Sequence, residues 1–313
     1  MHLGRRSRDR EPTGWNWRLR LAELLLLPAG YWLYAVIRDN EGRAQQPAAL
    51  ARAQVDAEQL LRLERHVGMA WERGTQEVFL KWPGLVRALD SFWSYGYLLV
   101  TVTVLVCALC QRPAVYRRLR TTFALSTAVA IGVFAVFPTV PPRLLPPSYG
   151  MVDTWVSLGG IAARTPPEIE RLSDPFASFP SIHVAWATWC VVAVASMTRR
   201  RWARGLTCAY LALTIVAVVA TANHFIVDCV AGVALTAVAL AAATGIEQLW
   251  ARARWRAGTP MISPGPADIT TKVPVAASTD RGATPRAGVV HGGETGPSDG
   301  DDQGRESSTA LTA

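Results

Sequence analysis

The sequence lacks several features that mark common classes of soluble protein. It has five cysteines, an odd number, and all of them fall within apolar runs, which argues against a disulfide framework. Cys107 and Cys110 form a C-x-x-C pattern without a second ligand pair, so we expect both to be small buried hydrophobic residues. No internal repeat is evident, and no H-E-x-x-H zinc motif is present. Disulfide scaffolds and zinc proteases of that type therefore have no support.

Charged residues are also scarce, at 18% of 313 residues, whereas half of the chain is hydrophobic. The apolar residues collect in long runs with the charges between them, which is typical of a polytopic membrane protein. We predict an all-α bundle of about six transmembrane helices. The predicted spans lie at about 19–37, 91–110, 121–137, 181–197, 206–222 and 225–249. The first run lacks a small-residue cleavage site at its end, so we interpret it as a retained helix.

Composition divides the chain into a transmembrane domain, residues 21–250, and two flanking segments. A basic arm, residues 1–20, precedes this domain, and residues 257–313 are rich in Gly, Pro, Ser, Thr and Asp, which predicts a disordered tail. Residues 38–87 combine charges of both signs with an apolar periodicity, which predicts an amphipathic helix at the interface or packed on the bundle. A proline-rich break opens a loop over residues 138–179.

The net charge of +8 comes from arginines in short loops beside the apolar runs, so membrane orientation explains it better than nucleic-acid binding. With six spans, the arginine-rich loops after the second, fourth and sixth spans share one side with the basic N-terminal arm. The positive-inside rule places this side, and both termini, in the cytoplasm. The 138–179 loop and the turn near residue 223 are then extracytoplasmic, and we expect a multi-pass protein of the plasma membrane.

Three separate stretches bring polar residues to the predicted extracytoplasmic ends of the spans. Arg143 follows the third span, Ser181 and His183 open the fourth, and His224 and Asp228 open the sixth. The spacing of four puts His224 and Asp228 on one helix face, where the carboxylate accepts a hydrogen bond from the imidazole and sets its tautomer. A carboxylate within an apolar run costs at least about 2.5 kcal/mol, so a functional role is the default interpretation.

These motifs resemble a known family of membrane enzymes. The sequence Pro180-Ser-Ile-His183, followed by His224-x-x-x-Asp228, resembles the second and third signature motifs of the type 2 phosphatidic acid phosphatase (PAP2) superfamily. The run Pro138-Thr-Val-Pro-Pro-Arg143, together with Phe179-Pro-Ser-Ile-His-Val-Ala-Trp186, is more particularly similar to the branch that contains inositol phosphotransferases such as inositol phosphorylceramide synthase. The resemblance covers about residues 20–250.

The resemblance implies a phosphotransfer that needs no metal and no cofactor. It implies that His224 is the nucleophile and forms a phosphohistidine, that Asp228 orients it, and that His183 protonates the leaving alcohol. Ser181 and Arg143 match phosphate-binding groups. The expected substrate is a lipid phosphate among the membrane lipids, with no nucleic-acid partner, and the oligomeric state is left open, as is the choice between hydrolysis and head-group transfer.

The sequence departs from the superfamily pattern at three positions. Val218 and Val136 stand where an arginine and a lysine are usual, and Ile182 stands where glycine is commonest. Phosphate therefore has fewer obvious cations, for which Arg164 or Arg171 in the outer loop are candidate replacements.

Two other functions remain open at this point. His183, His224 and Asp228 are also suitable metal ligands, so a membrane metallohydrolase is one alternative. The other is a non-catalytic protein that binds or transports a lipid phosphate in the same cationic pocket.

Overall fold

The computed structural model describes residues 47–111, 113–159 and 175–256, together with Ala22 and Leu25. Within these ranges the chain is helical and has no β-strand. Its helices are α1 (Pro47–His66), α2 (Glu72–Phe79), α3 (Pro83–Ser91), α4 (Tyr97–Leu109), α5 (Pro113–Val136), α6 (Thr154–Ser157), α7 (Ile182–Met197), α8 (Arg201–Ala220) and α9 (Ile226–Arg256). The all-α prediction is thus confirmed for the described part of the chain.

Four helical stretches are long and apolar enough to cross a membrane. They are Pro83–Leu109, in which a π-helical segment joins α3 to α4, and Ala114–Val136, Arg201–Ala220 and Ile226–Ala253. Helix α7 is apolar but has only 16 residues, about 24 Å at the usual rise, which is less than a typical hydrocarbon core. The prediction of about six spans is therefore confirmed for four.

Several predicted segments lie outside the described residues. They are the basic arm at 1–20, the tail at 257–313 and, apart from two residues, the first span at 19–37. Arg164 and Arg171, the candidate replacement cations, also lie outside them.

Helix α7 lies among four other helices, α4, α5, α8 and α9. It starts where Ser181 accepts a hydrogen bond from the amide of Val184 at 3.3 Å, a common way to satisfy a free amide at a helix start. Further along, the fully buried Trp189 donates its indole N–H to the carbonyl of Leu119 on α5 at 2.9 Å. These contacts hold the helix that carries His183 in the middle of the bundle.

Helices α7 and α9 approach each other closely at Gly232. A Cβ atom at this glycine would lie 2.5 Å from the carbonyl oxygen of Ser181, so only glycine fits without displacement. One turn later, Thr236 Oγ1 donates to the carbonyl of Ala185 on α7 at 2.8 Å. The first turns of the two helices are therefore held in near backbone contact.

The described part of the predicted amphipathic segment, residues 47–87, contains α1, α2 and the start of α3. Helix α1 packs against the rest of the protein. Its buried apolar face shares one cluster with residues of the loop and of the start of α9. The members of this cluster are Ala53, Ala57, Leu60, Leu61, Val140, Leu145, Phe176 and Phe225. Helix α1 therefore covers the region in which α9 begins.

The loop after α5 is pinned to the segment that precedes α7. Thr139 forms an isolated parallel bridge with Ala177 and accepts the amide N–H of Ser178 on its carbonyl at 3.2 Å. Its hydroxyl accepts the amide N–H of Phe179 at 2.9 Å. This pairing fixes the position of Ser178 beside α9.

The cysteines differ in part from the sequence prediction. All five are free thiols, as expected from their odd number and apolar context. Cys107 and Cys110, however, are exposed on the helix surface rather than buried, because α4 turns that face away from the rest of the bundle.

Candidate active site

The turn between α8 and α9 places His224. Ala222 has a left-handed φ of 53°, which reverses the chain direction directly after α8. The amide N–H groups of Asn223 and His224 both donate to the carbonyl of Val218, at 2.8 and 3.1 Å. His224 is thereby folded back against the end of α8, and its side chain is almost fully buried.

Asp228 lies one turn into α9 and holds the imidazole of His224. Its Oδ2 lies 3.2 Å from Nδ1 of His224, and the same oxygen accepts the hydroxyl of Ser178 at 2.7 Å and the amide of Phe225 at 3.0 Å. Because an ionised carboxylate only accepts, Nδ1 carries the proton, and Nε2 of His224 keeps its lone pair. The sequence spacing of four thus produces the expected contact.

His183 faces the other nitrogen of His224. Its Nδ1 lies 3.2 Å from Nε2 of His224, and the two ring centroids are 5.3 Å apart. The His183 ring also contacts Tyr97, with centroids 4.4 Å apart, and Trp93 at 5.6 Å. The three predicted residues therefore form a line, His183 to His224 to Asp228, with an aromatic wall around the first imidazole.

Arg143 is held rigidly near this line. Its Nε donates to Oδ1 of Asn223 at 2.9 Å, and Nη1 donates to Oδ2 of Asp153 at 2.9 Å. Its amide N–H donates to the carbonyl of Ala222, also at 2.9 Å. The arginine therefore reaches the residue next to His224, and among the described contacts it forms no hydrogen bond with either histidine.

Ser181 lies where the start of α7 meets the first turn of α9. It is fully buried, its hydroxyl oxygen caps α7, and its amide N–H donates to the carbonyl of Asp228 at 3.1 Å. The residue thus joins the start of α7 to the first turn of α9. The predicted contact of its hydroxyl with phosphate stays a prediction.

Several polar residues of the site were not found from the sequence. Asp90 is buried and accepts the indole N–H of Trp93 at 3.0 Å and the hydroxyl of Thr154 at 3.1 Å. Its signal was available, since it is a carboxylate beside an apolar run. Ser178 carries no such signal, because its partner Asp228 is 50 residues away in sequence. Asp153 lies in the polar loop, where a carboxylate is common.

Two carboxylates from the amphipathic segment also reach the site. Glu72 accepts the amide N–H of Ile226 at 2.9 Å, and Glu64 accepts that of Val227 at 2.6 Å. Glu64 lies four residues after Leu60 on the apolar face of α1, and a charge on such a face is a signal that the sequence contains.

The two valines that stand where the superfamily usually has a cation, Val218 and Val136, differ in their burial. Val218 is fully buried in an apolar cluster with Leu89, Trp93 and Val184, whereas Val136, at the end of α5, is 72% exposed. Neither position supplies a charge to the described site. Arg143 contacts Asn223, the residue next to His224.

The described residues contain no group of three or more His, Cys, Asp and Glu side chains with the geometry of a metal site. The reason is visible at the predicted triad. His224 lies between the other two side chains and turns one nitrogen to each of them, so the three do not converge on a common point.

Comparison with known protein families gives one match. The model of the PAP2 superfamily matches residues 58–242, more than half of the chain, and the matched region contains every predicted site residue. No curated protein and no solved structure matches the chain. The histidine line, the helical bundle and the family match agree, and the chain belongs to the PAP2 superfamily.

Proposed function

We propose that this protein is a membrane-embedded phosphatase or phosphotransferase of lipid phosphates that acts through a phosphohistidine on His224. The observation that carries the proposal is the line of His183, His224 and Asp228. It combines an oriented nucleophile with a second imidazole at its reactive nitrogen.

In the proposed first step, the lone pair of His224 Nε2 attacks phosphorus and the bond from phosphorus to the lipid oxygen breaks. A protonated His183 gives its proton to that oxygen. The P–N bond at Nε2 replaces the present contact between the two imidazoles, so His183 turns toward the leaving oxygen. Asp228 stabilises the positive charge that develops on His224.

In the second step, His183 takes a proton from water or from an alcohol, whose oxygen attacks phosphorus as the P–N bond breaks. Water releases phosphate or a phosphate monoester, whereas an alcohol accepts the head group. The resemblance of the run Pro138–Arg143 to the inositol phosphotransferase branch supports head-group transfer as one of these two outcomes, and the acceptor is left open.

Phosphate binding is proposed to use Arg143 together with the start of α7. A guanidinium offers a planar fork of donors to phosphate oxygens, and the Asn223 and Asp153 contacts keep that fork in place. The N-terminus of α7, beside His183, adds oriented amide groups and the positive end of the helix dipole.

The proposed orientation places this site on the extracytoplasmic side of the plasma membrane, with both termini in the cytoplasm. His183 is at the first turn of α7, and the arginines 199–201 and Arg204 follow its last turn. The positive-inside rule therefore supports a cytoplasmic position for the end of α7 and an outer position for its start.

The test uses the full chain in nanodiscs and a panel of phosphorylated lipids, with and without inositol. We expect His224→Ala to lower turnover by at least about a thousandfold, because it removes the nucleophile. We also expect an acid-labile phosphoryl label on the wild-type chain that His224→Ala lacks. The matched control is His66→Ala, which changes an exposed histidine at the end of α1 and should keep wild-type turnover.

Other outcomes separate the alternatives. Full turnover in His224→Ala would defeat the phosphohistidine mechanism. Turnover that a chelator abolishes and a divalent metal restores would favour a metallohydrolase. Tight binding of a lipid phosphate without turnover of any lipid in the panel would favour a non-catalytic binding protein.

A further inference from the structure

The first turn of α9, which follows His224, is held by carboxyl groups from a distant part of the chain. Ile226 donates its amide to Glu72 at 2.9 Å, and Val227 donates to Glu64 at 2.6 Å, across 154 and 163 residues of sequence. The first amides of a helix have no partner within the helix and are normally capped by a neighbouring side chain. Here helices α1 and α2 supply two of these caps.

Both carboxyl groups are buried away from water. Glu64 is 0% and Glu72 1% exposed, and among the described residues neither forms an ion pair with lysine or arginine. The second oxygen of Glu64, Oε2, is buried and has no hydrogen-bond partner there. We call these two residues the acid pair.

The surroundings of Glu64 favour its uncharged form. Burial, together with the neighbouring carboxylates of Glu72 and Asp228, raises the pKa of Glu64 from 4.5 to about 9, while the hydrogen bond from the amide of Val227 acts in the opposite direction. Removal of a carboxyl group from water disfavours its charged form, and a nearby negative charge does the same. The folded chain therefore favours a proton on Glu64 at neutral pH.

The acid pair acts on the same backbone that orients the nucleophile. Phe225, the residue before Ile226, donates its amide to Oδ2 of Asp228, and this oxygen is also the partner of His224 Nδ1. A shift of the first turn would therefore move the carboxylate relative to the imidazole. Because the contact is already 3.2 Å long, at the upper end of the usual range, a displacement of a few tenths of an ångström would weaken it.

We propose that Glu64 and Glu72 are positioning residues, a pair of buried carboxyl groups that cap the first turn of α9 and so aim the imidazole of His224. The expected effect of these residues on turnover rests on the proposed function. Their expected effect on hydrogen exchange in the first turn of α9 does not depend on any activity.

The pH dependence follows from the groups that face Glu64. These are Glu72 from α2 and Asp228 from α9, while the loop side of α1 contacts apolar residues. Between an unfolded pKa of 4.5 and a folded pKa of about 9, the folded chain holds a proton that the unfolded chain has released. Stability from this group is therefore complete below pH 4.5 and is lost as the pH rises through about 9.

The test compares Glu64→Gln, Glu72→Gln and the control Glu77→Gln, an exposed glutamate of α2 that pairs with Arg73. Each full-length variant is reconstituted in nanodiscs without substrate. Hydrogen–deuterium exchange is followed in the peptide that contains the first turn of α9. Turnover and the apparent melting temperature are measured from pH 6 to 10.

We expect Glu64→Gln to resemble wild type near pH 7, because glutamine has the shape and the charge of a protonated glutamate. Its turnover should stay within about threefold of wild type. Above pH 9 the wild-type chain should lose turnover and melt earlier, whereas Glu64→Gln should lose less of both, since it has no proton to release.

Glu72→Gln should have a larger effect at neutral pH, because it removes the charged acceptor of the Ile226 amide. We expect exchange in the first turn to accelerate and kcat to fall by about tenfold, with a smaller change in KM, while Glu77→Gln stays at wild-type values. Should Glu72→Gln fail to yield a monodisperse protein, hydrogen exchange and the pH series of Glu64→Gln test the cap from Glu64 by itself.

Two results would overturn the inference. One is an unchanged exchange rate in Glu72→Gln, and the other is a loss of turnover in Glu64→Gln at pH 7 as large as in Glu72→Gln. Neither can be confused with failure of the proposed function, which is decided by turnover in His224→Ala.

Discussion

Two short turns connect the last three helices, and they are built in different ways. The turn between α7 and α8 is exposed and closes on itself. Arg204 donates from Nε to the carbonyl of Thr198 at 3.0 Å and from Nη2 to that of Ala195 at 2.9 Å, and Thr198 Oγ1 accepts the amide of Arg200 at 3.2 Å. All of these partners lie within ten residues of one another.

The turn between α8 and α9 is buried and depends on remote parts of the chain. Arg143 donates its amide to the carbonyl of Ala222 and a side-chain N–H to Asn223, both at 2.9 Å. The acid pair then caps the first turn of α9. The difference teaches that a turn that only reverses the chain can be self-contained, whereas the turn that positions His224 is held from several directions.

The largest expected effect is at Asp228, on which the buried turn converges. Asp228→Asn removes the charge that sets the tautomer of His224 and stabilises its cationic form, so we expect turnover to fall by about a hundredfold to ten-thousandfold. Steady-state kinetics in nanodiscs measure this loss. Glu247→Gln, an acid near the other end of the same helix, is the control and should be unchanged. A loss below about threefold would remove the carboxylate from the mechanism.

A smaller effect is expected at Gly232, where α7 and α9 touch. Gly232→Ala places a methyl group against the carbonyl of Ser181, so it should separate His183 from His224 and destabilise the fold by about 1–3 kcal/mol. Both turnover and the apparent melting temperature should fall. Gly245→Ala is the matched control on the same helix, because nothing lies within 4 Å of its added Cβ atom. If both variants behaved alike, the close approach would have no importance for the site.

The smallest effect is expected at the exposed turn. Arg204→Ala removes two hydrogen bonds to carbonyls that water can also reach, so we expect a loss of stability below about 1 kcal/mol and wild-type turnover. Thermal unfolding and kinetics together check this prediction. A loss of turnover as large as that of Gly232→Ala would contradict the distinction between the two turns.

The parts of the site that could be predicted from the sequence are those that depend on local spacing. His224 and Asp228 are four residues apart on one helix, and the structure places their side chains in contact, as the helical repeat requires. The catalytic roles of these residues remain predictions. The apolar runs likewise predicted the long helices, because the length and composition of a run are local properties of the sequence.

The parts that could not be predicted depend on contacts between distant segments. Ser178 and Asn223 are ordinary polar residues in the sequence, and they belong to the site only because the loop and the turn meet beside α9. Val218, where the superfamily usually has an arginine, lies in an apolar cluster that also depends on contacts between distant segments.

By itself, the sequence determined a helical membrane protein of the PAP2 type, since hydrophobic run length and helical periodicity are properties of consecutive residues. The tertiary structure alone decided that His183 meets His224, that Gly232 permits the approach of their helices, and that two buried glutamates cap the turn. Such contacts join residues that are distant in sequence, and only the packing of the bundle brings them within hydrogen-bonding distance.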